Sequence, residues 1–185
     1  MIKNLTAVLN RPLVVSRDAS SLLKISLFAV LAFAGAMIKV FTPLSPVPFT
    51  LQTLFLFVAV YYLSTREIGI SQSVYIFAGL VGAPVFAAGL AGGLAFVGPT
   101  AGYLAGFIVA GMIMVSIKKH LPENMLSMAL VFAAGSFIIL SMGTLHLCLV
   151  YKVPFNAALI SGFAVFVPAE IMKIAAAVLY LKIKR

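Results

Sequence analysis

The sequence predicts an all-α integral membrane protein with six transmembrane helices and both termini in the cytoplasm. Three observations carry that expectation. First, 63% of the 185 residues are hydrophobic and only 9% are charged, whereas soluble domains are about half apolar and about a quarter charged. With a mean hydropathy of +1.18, a water-soluble core of this size could not hide the apolar surface. Second, apolar runs recur at about residues 24–41, 49–63, 68–85, 101–117, 125–151 and 155–181, a length scale set by the ~20 residues that cross a hydrocarbon layer about 30 Å thick. Third, a cytoplasmic N-terminus puts ten basic residues inside (Lys3, Arg11, Arg17, Lys24, Arg66, Lys118, Lys119, Lys182, Lys184 and Arg185) and two outside, Lys39 and Lys152. That asymmetry obeys the positive-inside rule and requires an even number of spans. A membrane β-barrel would need period-two alternation, which these runs lack.

In chain order, residues 1–23 read as a cytoplasmic N-terminal segment and residues 24–185 as the membrane domain. MIKNLTAVLNRPLVVSRDASS is broken by Arg11, Pro12 and Arg17 and has no leader-type cleavage site, so it is not expected to be a signal peptide. A short amphipathic helix on the inner surface and a simple tail are both compatible with it. The runs are then separated by TPLSPVP, STRE, a glycine-rich stretch at 87–102, KKHLPE and YKVP. The fifth run, 125–151, is longer than a minimal span and is expected to tilt or to project.

The connections differ by side. Inner ones are short and charged. Outer ones carry Pro43, Pro46, Pro48, Pro84, Pro99 and Pro154 with Gly89, Gly92, Gly93 and Gly98, and almost no charge. PLSPVPFTLQT offers Thr50, Gln52 and Thr53, and the glycine-rich stretch offers Phe86, Phe96, Thr100 and Tyr103. Non-helical backbone near membrane depth is tolerated where protein or a cavity covers it, so these stretches suit a lid over an outward-opening pocket. Ordinary helix connections are the plainer alternative.

Several chemistries are excluded. The basic residues form no stripe of the kind nucleic acid requires. The pattern GxxxxGK[ST] is absent, so ATP is not bound by a phosphate loop. His120 and His146 are too far apart in sequence for a local metal-ligand pair, and His146 reads as a satisfied bundle side chain. Cys148 reads as a small core residue. No two carboxylates share a span, which leaves acid–base hydrolysis without apparatus. No cofactor is expected.

Only Asp18, Glu67, Glu123 and Glu170 are acidic, and Glu170 alone sits inside an apolar run, FVPAEIMKIAAAVLY, with Lys173 three positions on. Residues so spaced share a helix face. If Lys182 marks the inner boundary, Lys173 lies about 13 Å and Glu170 about 18 Å above it at 1.5 Å per residue. A charge at that depth costs at least about 2.5–3.5 kcal/mol, so the pair should face the bundle. Pro168 should break or kink the last span just before it, freeing amides at a partly positive helix end. The pair serves either as a packing ion pair, which often adds no net stability, or as a recognition site for a small molecule.

Three stretches, PLSPVPFTLQTLF, YIFAGLVGAPVFAAGLAGG with GPTAGYLAGF, and VPAEIMK, together resemble the BioY-type biotin-binding subunits (S components) of energy-coupling-factor vitamin transporters. The resemblance covers roughly residues 24–181 in the same order. It implies six helices in the cytoplasmic membrane, capture of biotin from outside, and no chemistry on this chain. It also implies partners: a transmembrane coupling subunit and two ATPase subunits, besides the lipid bilayer. The binding residues it implies are Glu170, Lys173, Gln52, Thr50, Gly89, Thr100, Tyr103 and Phe86. Ala32 and Ala36 fit a small-residue contact with the coupling subunit, internal packing being the alternative. Family members commonly have Gly-Asp where this chain has Ala169-Glu170, which keeps the charge and alters its reach. The rivals are a subunit for another vitamin, an intramembrane enzyme using Glu170 as a base, and a structural scaffold.

Overall fold

The computed structural model describes residues 17–87, 91–92 and 97–183. The N-terminal residues 1–16, on which the choice between an amphipathic helix and a tail falls, Gly89 and Phe96 lie outside the described residues. Helix α1 (Arg17–Met37) starts ahead of the first apolar run, with Asp18 in its first turn, where a carboxylate suits the positive helix end. Residues 17–23 therefore belong to the first membrane helix instead of a separate segment.

The chain does not stay helical on leaving α1. Strands β1 (Lys39–Thr42) and β2 (Ser45–Thr50) form an antiparallel hairpin pairing Lys39 with Thr50, Val40 with Phe49 and Thr42 with Ser45. This corrects the all-α expectation. The cue was present in the sequence: β-branched and aromatic residues in KVFT and SPVPFT, separated by Pro43 and Leu44. Pro46 and Pro48 stand outside the paired positions, as residues without an amide proton must.

Helix α2 (Gln52–Tyr62) follows and is only 11 residues long, about 16 Å. Of its expected start, Phe49 and Thr50 went to the hairpin and Leu51 stands at the helix N-cap. At its other end the Lys118 ammonium donates to the carbonyls of Val60 and Tyr61, at 3.3 and 3.0 Å. Helix α3 (Thr65–Leu80) opens with a capping box: Ser64 Oγ accepts from the Glu67 amide, and the Glu67 carboxylate accepts from the Ser64 amide. Each satisfies an amide that would otherwise lack a partner. Glu67 also accepts from Ser21 on α1, and these bonds hold its carboxyl below the usual carboxylate range. Helix α3 stops before the expected 85 because Gly82 takes φ +105°, a conformation that side chains with Cβ strain to adopt.

Helices α4 (Ala101–Lys118) and α5 (Met125–Leu149) come next, α5 capped by the Asn124 side chain. The last run is broken as Pro168 foretold. Helix α6 (Phe155–Gly162) gives way to a 3₁₀ turn, Ala164–Phe166, before α7 (Val167–Ile183). Among the described residues, four helical stretches are long and apolar enough to cross a membrane: Asp18–Met37, Ala101–Lys118, Met125–Leu149 and Phe155–Ile183. The two helices between them, α2 and α3, are shorter.

Helix α1 packs on α2 and α3, α4 packs on α3 and α5, and α7 closes against α2 and α5. The core between them includes the stacked rings of Phe57 and Phe132, 4.9 Å apart. Helices α4 and α5 approach through small residues. A Cβ on Gly102 would lie 2.6 Å from the Met142 carbonyl oxygen and 2.4 Å from His146 Cβ. Because backbone cannot yield, Gly102→Ala is expected to cost about 1–3 kcal/mol, the usual penalty of overpacking. A lowered unfolding midpoint of the detergent-solubilised protein checks this.

Candidate functional site

Where the hairpin covers the helix ends, residues from six segments meet around one cavity. Strand β2 gives Val47, Pro48 and Thr50, and α2 gives Gln52 and Thr53. Phe86 comes from the turn after α3; Thr100, Tyr103 and Phe107 come from α4 and its approach. Helix α5 gives Ile139 and Leu140, and the last run gives Phe166, Glu170 and Lys173. Of the expected site residues, the structure thus brings together Glu170, Lys173, Gln52, Thr50, Thr100, Tyr103 and Phe86. The cavity measures about 50 Å³, whereas ligand pockets run to about 300–1,000 Å³. A guest of metabolite size requires these walls to move apart.

Glu170 and Lys173, 5% and 9% exposed, lie one helical turn apart on α7 and form an ion pair at 2.6 Å. The pair is not isolated. Thr53 Oγ donates to Glu170 Oε1 at 2.9 Å and accepts from Lys173 Nζ at 2.8 Å. Ser136 Oγ on α5 donates to Glu170 Oε2 at 2.8 Å. Three helices therefore meet at one carboxylate. An ammonium has three protons, and a carboxylate offers about four acceptor positions. Lys173 uses two of its protons and Glu170 three of its positions, leaving one donor and one acceptor.

Beside them runs a second network. Thr50 Oγ donates to Gln52 Oε1 at 3.1 Å, Gln52 Nε2 donates to the Tyr75 hydroxyl at 2.8 Å, and Tyr75 donates to the Val85 carbonyl at 3.1 Å. Phe86 lies edge-on to Tyr75, 5.6 Å between centroids, and rests over Gly79, where any Cβ would strike its ring. Tyr103 rests on Gly143 in the same way. Its hydroxyl donates at 2.6 Å to the Gly162 carbonyl, a group that the break in the last run leaves without a helical partner. Phe166 closes the wall against Phe49, 4.7 Å away.

Sequence reasoning missed Ser136 and Tyr75 and did not give Thr53 its part. Ser136 left one signal, a hydroxyl in the middle of an apolar run; Tyr75 resembled any core aromatic. Ala32 and Ala36 need correction as a partner contact. They are 3% and 0% exposed within this chain, because that face of α1 packs inward, and Leu23, Leu27 and Val30 face out instead. His146 is satisfied as read, with Nε2 3.1 Å from the Gly98 carbonyl oxygen.

Helices fit to cross a membrane, closed at one end over a buried ion pair, define a membrane-embedded binding protein. Comparison with known proteins says which kind. The sequence model of the BioY family matches residues 6–185, and the chain belongs to that family. It is 34% identical over 172 residues to the biotin transporter BioY of Thermotoga maritima, covering 89% of this chain and 95% of that one. Against the biotin transporter BioY2 of Lactococcus lactis it is 32% identical, covering 81% and 85%. A crystal structure of the S-component for biotin from an ECF-type ABC transporter shares the fold, with TM-score 0.80, 20% identity and 89% of each chain covered.

The network sets up a stability test of the ion pair. Removing one member of a buried pair strands the other at a cost of about 3–5 kcal/mol. Lys173→Met is therefore expected to destabilise the protein strongly, and Glu170→Leu combined with Lys173→Met to recover most of the loss. Denaturant unfolding in detergent measures both.

Proposed function

We propose that this chain is the substrate-binding subunit of a biotin uptake system. It captures biotin from outside the cell and releases it inward, driven by a transmembrane coupling subunit and two ATPase subunits. The observation that carries this reading is the Glu170–Lys173 pair lining the cavity of a BioY-family chain. Relatives of that family bear the name of biotin transporters, so the pocket serves binding and no reaction is assigned to it.

The chemistry of biotin suits the lining. Its ureido ring has two N–H donors and one carbonyl, and its thiophane ring and valeryl chain are apolar. Glu170 accepts an N–H at its remaining position and Lys173 donates its remaining proton. Gln52 and Thr50 supply further polar contacts, with Thr100, Tyr103 and Phe86 around the rest of the ligand. A mostly apolar pocket with a few fixed polar groups is the usual form of such sites.

In this reading the six helical stretches, with α6 and α7 counted as one, cross the cytoplasmic membrane with both ends inside. The charges support that orientation. Arg66, Lys118, Lys119 and Lys182 lie at the end opposite the hairpin, and Lys39 and Lys152 lie at the hairpin end, as the positive-inside rule asks.

Calorimetric titration of the purified protein with biotin, thiamine and riboflavin is expected to give binding for biotin alone. A response to another vitamin in its place overturns the assignment. Lys173→Ala is expected to weaken biotin binding at least tenfold, or about 1.4 kcal/mol. Unchanged affinity in a folded variant would reduce Lys173 to a packing role.

A further inference from the structure

We propose that Tyr75 is a positioning residue for ligand recognition, fixing which way round the Gln52 amide faces the pocket. The inference rests on the biotin-binding reading above and names a residue outside the sequence-derived site. A phenol has one proton. The Val85 carbonyl can only accept, and Tyr75 Oη donates to it at 3.1 Å. The oxygen of Tyr75 therefore has only acceptor capacity left for Gln52, and it meets Nε2 at 2.8 Å. Gln52 must present its NH₂ end to Tyr75 and its Oε1 end to Thr50, whose hydroxyl donates at 3.1 Å. The orientation follows from a backbone carbonyl two hydrogen bonds away.

The consequence lies in what Gln52 has left. One amide proton goes to Tyr75 and one oxygen lone pair takes the Thr50 proton, so one donor and one acceptor remain, in a fixed sense. Tyr75 is 2% exposed and Gln52 6%, so water does not readily substitute for either bond. The relay also joins the end of the hairpin, through Thr50, to the turn that carries Phe86. Without the phenol oxygen the amide is free to turn over, exchanging donor for acceptor toward the ligand. The ring, its packing on Phe86 and its place on α3 stay as they are in Tyr75→Phe.

The test is a double-mutant cycle read by calorimetric titration with biotin, with unfolding midpoints in detergent recorded for every variant. Tyr75→Phe is expected to weaken binding about five- to tenfold, the scale of one lost hydrogen bond. In the Gln52→Ala background the same change is expected to add nothing. Wild-type affinity in Tyr75→Phe, or losses that multiply in the double variant, overturns the proposal. Should Tyr75→Phe not fold, Gln52→Glu is read instead. Its carboxylate has no proton to give the Tyr75 oxygen or the ligand, so affinity is expected to fall at least about fivefold. Wild-type affinity in a folded Gln52→Glu would mean that the fixed amide donor is not needed, and would overturn the proposal. If the unaltered protein fails to bind biotin, the functional reading falls and this inference with it; multiplying losses on a normal wild-type background sink this inference alone.

Discussion

A carboxylate and an ammonium, sealed together beneath the hairpin, set the terms for the rest of the molecule. Neither Glu170 nor Lys173 can be left toward lipid, and each needs more than the other to be satisfied. The fold answers by bringing α2 and α5 to α7, so that the hydroxyls of Thr53 and Ser136 reach the same carboxylate. That convergence is the junction on which α7 closes against both neighbours. Buried ion pairs often do no better for stability than well-packed apolar residues. Such a cluster at the wall of a cavity is what the proposed recognition role needs, since stability alone would be served as well by apolar packing.

The second constraint is the interruption of the last helical run. A continuous helix from Phe155 to Ile183 would leave no free carbonyl at Gly162 and no turn to carry Phe166. With the break, Tyr103 has an acceptor for its buried hydroxyl, and Phe166 stands between Tyr103 and the hairpin residue Phe49. The close approach of α4 and α5 through Gly102 and Gly143 makes room for the Tyr103 ring. Small residues on two helices and one proline on a third thus shape the same wall.

How much of this was legible depended on whether the signal was local. Composition gave the membrane class, and among the described residues four helical stretches in the expected order are long and apolar enough to cross a membrane. The run from 155 to 181 contained its own break, written as Pro168. The ion pair was legible because residues three apart on a helix must share a face. The hairpin was not read, since prolines and a short connection suggested a loop more than paired strands. Ser136 and Tyr75 were invisible for a different reason: their roles come from partners 34 and 23 positions away, and a single hydroxyl in an apolar helix does not announce its partner. Ala32 and Ala36 show the reverse error. Small residues at helical spacing mark close packing without saying whether the neighbour is the same chain, and here it is.

The same networks fix the manner in which the pocket can discriminate. Glu170 and Lys173 already spend most of their hydrogen-bonding capacity, and Gln52 half of its own, within the protein, so a guest adds only a few bonds, each worth about 0.5–1.5 kcal/mol net. In the proposed reading, strength of attachment comes largely from apolar contact with Phe86, Tyr103 and Phe166. Selectivity comes from the opposite side of the ledger. A guest that parts the walls and shuts out water without matching the remaining donors and acceptors strands a buried polar group, at about 1–3 kcal/mol or more for a charged one. Rejection of the wrong ligand is therefore stronger than attraction of the right one, and it depends on every polar atom being held in one orientation before the guest arrives.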